Sequence, residues 1–350
     1  MSGGLDSSLV AALLAEAGDD VVGLSMLLWD RSQEVRNGRC CGSLDLGDAR
    51  RVAEQIGIPH YTLRMDQEFE GRVVAPFVAD YVAGRTPSPC VRCNTFIKFD
   101  ALVARARRLG ADRVATGHYA RIVTAADGTL ELHRGRDRGK DQSYFLFELD
   151  QSQLAAAAFP LGEMTKEEVR AEATRRGLLV AGKAESMEVC FVADDIESFV
   201  AARLGEGGSG AERGGASRVV DREGRELGTA GPTYRYTVGQ RRGLGVAAPR
   251  PLYVLEIDPV GNRLIVGERG ELARGGLRGR DVHWIGPAPA GEVEVEVRIR
   301  SRHPGVAALV RPAAPGTVEV EFATPQEGVA PGQAAVFYDG ERVLGGCWIC

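Results

Sequence analysis

A chain of 350 residues with 43 basic and 48 acidic side chains carries a formal charge of −5, and 44% of it is hydrophobic. That mix is expected of a soluble globular protein of two or three domains with ample apolar material for a core. It excludes a membrane span, because no stretch approaches about 18 uninterrupted apolar residues, and it excludes attachment to nucleic acid by bulk charge alone. The opening MSGGLDSS has neither the basic start nor the apolar core of a secretory signal, so the cytoplasm is the default location.

From the N-terminus, residues 7–17 predict a helix that stops at Gly18, and 21–29 form an apolar run of buried-strand length. A helix follows at 45–56 and a strand at 58–65, then helices at 68–83 and 97–109, and a strand at 113–116 leading to Gly117-His118. Such alternation predicts a parallel sheet with helices on both faces. Thr165 and Glu168 open a further helix with the capping-box pattern. Residues 205–217 are too rich in glycine and polar groups to pack and read as a linker. Beyond them helical periodicity disappears. Residues 292–302 alternate, with Val293, Val295, Val297 and Ile299 on one face and Glu292, Glu294, Glu296, Arg298, Arg300 and Arg302 on the other. Asp339-Gly340 marks a hairpin turn. The expected division is 1–204, 205–272 and 273–350, the last a small β-barrel.

Two compositional features stand out. Among the basic residues only Lys98, Lys140, Lys166 and Lys183 are lysine, all within the first 200 residues. Where arginine is the default, a retained ammonium suggests that a compact charge is needed, and Lys98, Lys140 and Lys183 fall in or beside the motifs described below. The seven cysteines are Cys40, Cys41, Cys90, Cys93, Cys190, Cys347 and Cys350. An odd number argues against a disulfide framework and leaves metal or redox chemistry open. Cys40-Cys41 and the Cys347/Cys350 pair read as structural, as do the isolated His60, His133 and His283.

Ser2-Gly3-Gly4-Leu5-Asp6-Ser7-Ser8 carries the most chemistry. Small residues at the mouth of a helix expose backbone N–H groups that, with the helix dipole, cradle an anion such as phosphate. Asp6 is placed to orient Mg²⁺ or to cap the helix. The stretch lacks the GK[ST] ending of a Walker loop, which disfavours γ-phosphate transfer. The alternative is a Ser/Asp cap on a surface helix, and local chemistry alone leaves both readings open.

SGG-x-DSS resembles the signature of the PP-loop ATP pyrophosphatases. Further segments are similar to motifs of the tRNA-specific 2-thiouridylase family: RTPSPCVRCN at 85–94, ATGHY at 115–119, KDQSYFL at 140–146, MEVCFV at 187–192, GQRRGLG at 239–245 and PGQAAVFY at 331–338. They run in order over nearly the whole chain. The resemblance implies an α/β fold with a parallel-sheet PP-loop (adenine nucleotide α-hydrolase-like) domain, a small central domain and a C-terminal β-barrel. It implies thiolation at C2 of the wobble uridine of tRNA, with ATP adenylating the C2 oxygen and a cysteine persulfide delivering sulfur. Cys190 matches the persulfide carrier and Cys93 the thiol that releases the sulfur by forming a disulfide. Met1, Ser2, Gly3, Gly4, Leu5, Asp6, Ser7, Met26 and Gly117 match the nucleotide site, which works with Mg²⁺. Ser88, Pro89, Cys90, His118, Lys140, Asp141, Gln142, Arg300, Ser301 and Gln333 match positions that meet tRNA, with His118 and Gln333 near the flipped target base. Arg298, Arg300 and Arg302 would form a phosphate track on the barrel. The implied partners are tRNA and a sulfur donor, a cysteine desulfurase or a sulfur relay protein, with no membrane.

Two departures qualify the match. Many members have aspartate where this chain has Cys90, and a CxxC with a distant third thiol suits an iron–sulfur cluster on Cys90, Cys93 and Cys190. The family also has an apolar strand of about six residues before the phosphate loop, so the expectation is that the natural start lies upstream and that the sheet lacks its central strand. Rival functions are a different PP-loop enzyme that adenylates a small carbonyl compound, and a non-catalytic, cluster-bearing RNA-binding protein.

Overall fold

The computed structural model describes residues 1–28, 43–184, 189–192, 195–206 and 215–350. Cys40, Cys41, Met187, Glu188 and most of the expected linker lie outside the described residues. The chain forms two units, one comprising residues 1–73, 90–193 and 341–344, the other 74–89, 194–340 and 345–350. None of the described helices is long and apolar enough to cross a membrane.

The helices in chain order are α1 (Leu5–Glu16), α2 (Ser43–Ile56), α3 (Asp66–Phe69), α4 (Ala75–Val82), α5 (Pro89–Arg92), α6 (Leu102–Arg108), α7 (Gln151–Ala156), α8 (Lys166–Arg175) and α9 (Ile196–Glu206). In the first unit α1 is nearly all apolar after its first turn, and it is buried accordingly. Leu9, Val10 and Ala12 pack with Val52 of α2 and Val169 and Ala173 of α8. Burying one such Leu or Val contributes about 1.5–3 kcal/mol. Gly18, at φ +88°, ends the helix as its position predicts. Thr165 and Glu168 make the expected capping box on α8.

The strands of this unit are β1 (Gly23–Leu27), β2 (His60–Arg64), β3 (Val114–Ala115), β4 (Ala120–Thr124), β5 (Leu130–Arg134) and β6 (Ala157–Ala158). β1 runs parallel to β2 and β3 parallel to β6, as alternation requires. Among the described residues these are two separate pairs, so the single sheet read from the sequence is divided. β4 and β5 form an antiparallel hairpin that the sequence reading omitted, although Asp127-Gly128 at its turn is a standard hairpin signal. Arg342 and Val343 pair with β5. The predicted helix at 68–83 contains a π-helical run, Glu70–Val74, and a second run, Cys93–Ala101, overlaps the start of the predicted helix at 97–109. Hydrophobic periodicity does not reveal such i→i+5 segments.

In the second unit β7 (Ser217–Val220), β8 (Glu226–Ala230), β9 (Tyr253–Asp258) and β10 (Arg263–Gly267) form a sheet in the order β8-β7-β10-β9. Val219, Tyr236, Leu244, Val254, Leu264 and Val266 make its core. The barrel follows the order β11 (Arg274–Trp284), β14 (Thr317–Gln326), β13 (Val306–Pro312), β12 (Val293–Arg298), β15 (Ala334–Asp339), β16 (Arg342–Ile349), and β11 closes onto β16. Closure removes the free sheet edges. β12 ends at Arg298, earlier than the alternation to residue 302 suggests. Arg298 turns inward, 9% exposed, and donates to the carbonyls of His303 and Ser301 while its guanidinium faces the Tyr338 ring. It therefore leaves the expected phosphate track and serves the turn that holds Arg300 and Ser301.

Candidate active site

The first unit gathers the phosphate-loop residues at the mouth of α1. Gly4 occupies the cap position at φ −93°, ψ 164°, and no side chain caps the helix, so N–H groups of the first turn stay open for an anion. Asp6 is thus not the cap that the sequence allowed. Gly3 sits at φ +71°, where a Cβ would lie 2.1 Å from the Asp45 carbonyl oxygen, so no side chain fits there. The Ser7 hydroxyl accepts from the Ser2 amide at 3.1 Å and lies 3.1 Å from the Ser2 hydroxyl. Gly117 packs onto the loop, where a Cβ would meet Asp6 Cβ at 2.7 Å and the Ser7 nitrogen at 3.2 Å. Met1 runs beside β1, its amino group donating to the Leu24 carbonyl and its carbonyl accepting from Ser25 Oγ at 2.6 Å; Met26 lies on the same strand. The Ser8 hydroxyl is buried and has no hydrogen-bond partner among the described residues. An uncapped helix mouth, a cradle that any Cβ would fill and an orphaned hydroxyl fit the phosphates of a nucleotide.

Two lysines fix this loop. Lys166, 8% exposed at its side chain, donates to Asp6 Oδ1 at 2.6 Å, and the Tyr119 hydroxyl donates to the same oxygen at 3.0 Å. Lys183 donates to the Gly3 carbonyl at 2.9 Å and to Asp45 and Asp48, each at 2.6 Å. Burial works against the Lys183 charge, but the two carboxylates outweigh it and raise its pKa. Lys183 and Arg51 in turn hold Asp48 below the usual carboxylate value. Lys166, the one lysine that the motif comparison left aside, is the side chain that ties Asp6. Asp45 and Asp48 also went unnoticed, since helical carboxylates read as ordinary surface charge.

Cys90, Cys93 and Cys190 belong to the same unit. Cys93 begins the π-helical run, Cys90 lies on α5, and Cys190 occupies the tight turn Val189–Val192, closed by an amide-to-carbonyl bond at 3.1 Å. Phe191 anchors that turn edge-on against Phe69, 5.5 Å between centroids. Cys93 and Cys190 are partly exposed. Cys90 is exposed, and desolvation pushes its thiol up while the Lys98 charge pulls it down. Among the described residues no three His, Cys, Asp or Glu side chains come together to hold a metal. An iron–sulfur cluster on Cys90, Cys93 and Cys190 would need its thiolates converging on one centre, and these described residues are not gathered in that way. Cys347 is fully buried in the barrel and its thiol is pushed far up by burial, while Cys350 is exposed, as a structural reading expects.

His118 is buried beside this centre, with Nδ1 2.7 Å from Thr116 Oγ1 and Nε2 3.5 Å from the Lys98 ammonium. Burial, helped by Lys98, holds its pKa well below the ordinary histidine value, so it is neutral. Within the Lys140-Asp141-Gln142 segment, Asp141 accepts from the amides of Gly135 and Ser143, and Gln142 Oε1 accepts from the Tyr119 amide at 3.1 Å. Both side chains shape their own loop.

In the second unit Ser88 and Pro89 are buried at the end of the 85–89 segment. Gln333 donates to the carbonyls of Thr86 at 2.9 Å and Pro87 at 3.2 Å, so its amide clamps that segment. Arg300 is exposed and donates to the Glu327 carbonyl at 3.3 Å; Arg302 is also exposed.

Three family models match the chain: the tRNA methyl transferase HUP domain over residues 1–194, the tRNA methyl transferase PRC-barrel domain over 211–268, and the aminomethyltransferase beta-barrel domain over 274–349. The tRNA-specific 2-thiouridylase MnmA of Geobacter metallireducens is 51% identical over 354 residues, covering 100% of this chain and 95% of that protein. The protein of that name from Geotalea uraniireducens is 49% identical over 355 residues, covering 100% and 93%. The one from Streptomyces coelicolor is 47% identical over 358 residues, again covering 100% and 93%. A solved structure titled as a predicted subunit of tRNA methyltransferase from Methanocaldococcus jannaschii is 17% identical over 59% of this chain and 85% of that one; its TM-score of 0.32 adds nothing to the fold.

Proposed function

The chain belongs to the tRNA-specific 2-thiouridylase family, and from that premise we propose that it inserts sulfur at C2 of the wobble uridine of tRNA at the expense of ATP. The observation that carries this reading is one unit holding both an open phosphate loop fixed by Lys166 and Lys183 and two partly exposed cysteines, Cys93 and Cys190. Neither feature would serve a simple methyl transfer, the reaction named in two of the matching family models.

In the proposed reaction the uridine O2 attacks the α-phosphorus of ATP, the bond to pyrophosphate breaks, and pyrophosphate leaves. Residues 1–7, Met26 and Gly117 hold the nucleotide, and a Mg²⁺ ion would neutralise its phosphates, with the unpaired oxygen of Asp6 at hand. A sulfur donor protein loads Cys190 as a persulfide. The Cys93 thiolate attacks the inner sulfur of that persulfide, which forms a Cys93–Cys190 disulfide and releases hydrosulfide. Hydrosulfide adds at C2, and AMP departs with the C–O electron pair, leaving the thiocarbonyl. An external dithiol then reduces the disulfide. Ser88, Pro89, Cys90, His118, Lys140, Asp141, Gln142, Arg300, Ser301 and Gln333 remain the proposed tRNA-facing positions, with the division 1–204, 205–272 and 273–350 and a cytoplasmic setting.

Anaerobic incubation with unmodified tRNA, Mg-ATP and a protein persulfide donor, followed by nucleoside analysis, should yield 2-thiouridine. Cys93→Ser and Cys190→Ser should abolish it, and free sulfide should restore part of the product to both. Full activity of Cys190→Ser with the protein donor would overturn the persulfide route. Cys90→Asp should keep activity, because no cluster is needed.

A further inference from the structure

The π-helical run Cys93–Ala101 is nine residues long, and such segments are rare and recur at functional sites. Its i→i+5 spacing carries the chain from Cys93 to Lys98 in about one turn, so both residues project from one side. The Lys98 ammonium ends 3.5 Å from His118 Nε2. An ammonium has protons to give and no lone pair, so a neutral imidazole beside it must present the unprotonated Nε2. The ring proton is then on Nδ1 and is donated to Thr116 Oγ1 at 2.7 Å. Phe99 and Phe159 flank the imidazole at 5.9 and 5.7 Å between centroids and fix its plane. One residue earlier, Gly117 lies against Asp6 and Ser7 of the phosphate loop. The ammonium thus sits against the buried imidazole, and its charge reaches the Cys90 thiol.

We propose that Lys98 is a further residue of the reaction centre, with His118 as its positioning residue: the imidazole holds the ammonium where negative charge develops as sulfur displaces AMP from C2, and is not itself an acid or base. This rests on the thiolation reading above. Lys98 forms no covalent bond. It attracts the incoming hydrosulfide and the oxygen on which the C–O electron pair collects, and it favours the thiolate forms of the neighbouring cysteines. His118, with Nε2 engaged and Nδ1 donating to Thr116, has no site from which to pass a proton to the base. Lysine suits the role, since a compact ammonium fits against one ring nitrogen where the planar fork of arginine does not.

The test uses the full chain with tRNA, Mg-ATP and sulfide. Lys98→Met should lower kcat for 2-thiouridine at least 100-fold while KM for ATP and for tRNA changes less than three-fold. It should also slow alkylation of Cys93 by iodoacetamide at pH 7.5 about five-fold or more, scored by peptide mass spectrometry. His118→Gln, which still offers an oxygen to the ammonium, should keep at least ten-fold more activity than His118→Leu. Wild-type rates in Lys98→Met, or equal inactivity of His118→Gln and His118→Leu, would overturn the proposal. An unfolded Lys98→Met protein would betray itself by loss of tRNA binding, and Lys98→Gln then carries the same kcat and alkylation test. Absence of 2-thiouridine from the wild-type chain would instead overturn the thiolation reading.

Discussion

Positive charge is used in opposite ways in the two units. All four lysines of this arginine-rich chain lie in the first unit, and three of them end on the groups of the candidate active site: Lys166 on Asp6, Lys183 on Gly3, Asp45 and Asp48, and Lys98 on His118. In the barrel the cations are arginines laid across strand surfaces, such as Arg311 between Glu292 and Glu321, with side chains 40–63% exposed. A short-reach ammonium that donates to one or two fixed acceptors suits a crowded loop. A guanidinium spanning two carboxylates in water suits a strand face and contributes little to stability. The position of a cation, more than the count of cations, therefore predicts what its removal does.

The sharpest break in that comparison is Lys166→Met. It removes the partner of Asp6 at a site where the lysine is 8% and the aspartate 30% exposed. Breaking a fully buried pair costs about 3–5 kcal/mol, and the water reaching Asp6 reduces this to about 2 kcal/mol. The freed carboxylate also turns negative charge toward the phosphate cradle. Denaturant melts should show the stability loss, and calorimetric titration should show ATP affinity falling about 100-fold. A variant with wild-type ATP affinity would mean that Lys166 serves packing alone.

Much of the first unit was legible because its signals are local. SGGLDSS dictates an uncapped helix mouth, Gly18 a helix stop, and Thr165 with Glu168 a capping box, each within a few residues. The lysine contacts were not legible, since Lys166 reaches Asp6 across 160 positions and Lys183 reaches Asp45 across 138, and only the packed fold brings them together. The composition held a hint, four lysines among 43 basic residues, without naming their partners. Arg298 failed for a different reason. Strict alternation placed it on the wet face, but the backbone leaves the strand there and the guanidinium satisfies the carbonyls of the following turn. The π-helical runs escaped because amphipathic spacing looks the same over one or two turns whether bonds close at four or five residues.

A second contrast sets His118 of the first unit against His303 of the barrel. Burial depresses both, but His118 lies well below the ordinary value, whereas His303 is partly rescued by its hydrogen bond to Gln326. The unfolded chain takes up a proton on each near pH 6.5, and the folded imidazole refuses it until lower pH. The stability each contributes is therefore complete above about pH 6.5 and is lost as pH falls below that, with a slope of up to about 1.4 kcal/mol per pH unit. Unfolding curves at pH 7.5, 6.0 and 5.0 should show His118→Gln losing about 1 kcal/mol less than wild type across this range, and His303→Gln saving a smaller amount. Parallel curves for wild type and His118→Gln would show that the imidazole takes up its proton as readily in the fold as in the unfolded chain.

The smallest effects belong to the barrel surface, and they separate a cation kept for a partner from one kept for its neighbours. Arg300 is exposed and among the described residues donates only to the Glu327 carbonyl, at 3.3 Å. Arg300→Ala should leave stability within about 0.5 kcal/mol of wild type. It should weaken tRNA binding a few-fold and lower the salt dependence of that binding by about one phosphate contact. Arg311 already has two carboxylates within 3.0 Å, so an RNA phosphate would have to compete with both. Arg311→Ala should cost less than about 1 kcal/mol, because exposed pairs exchange one set of solvated charges for another. It should leave tRNA affinity and its salt slope unchanged in filter binding between 50 and 200 mM salt. If both variants weakened tRNA equally, the barrel would act through its summed field and not through chosen positions, and the contrast between placed and distributed charge would hold only for the first unit.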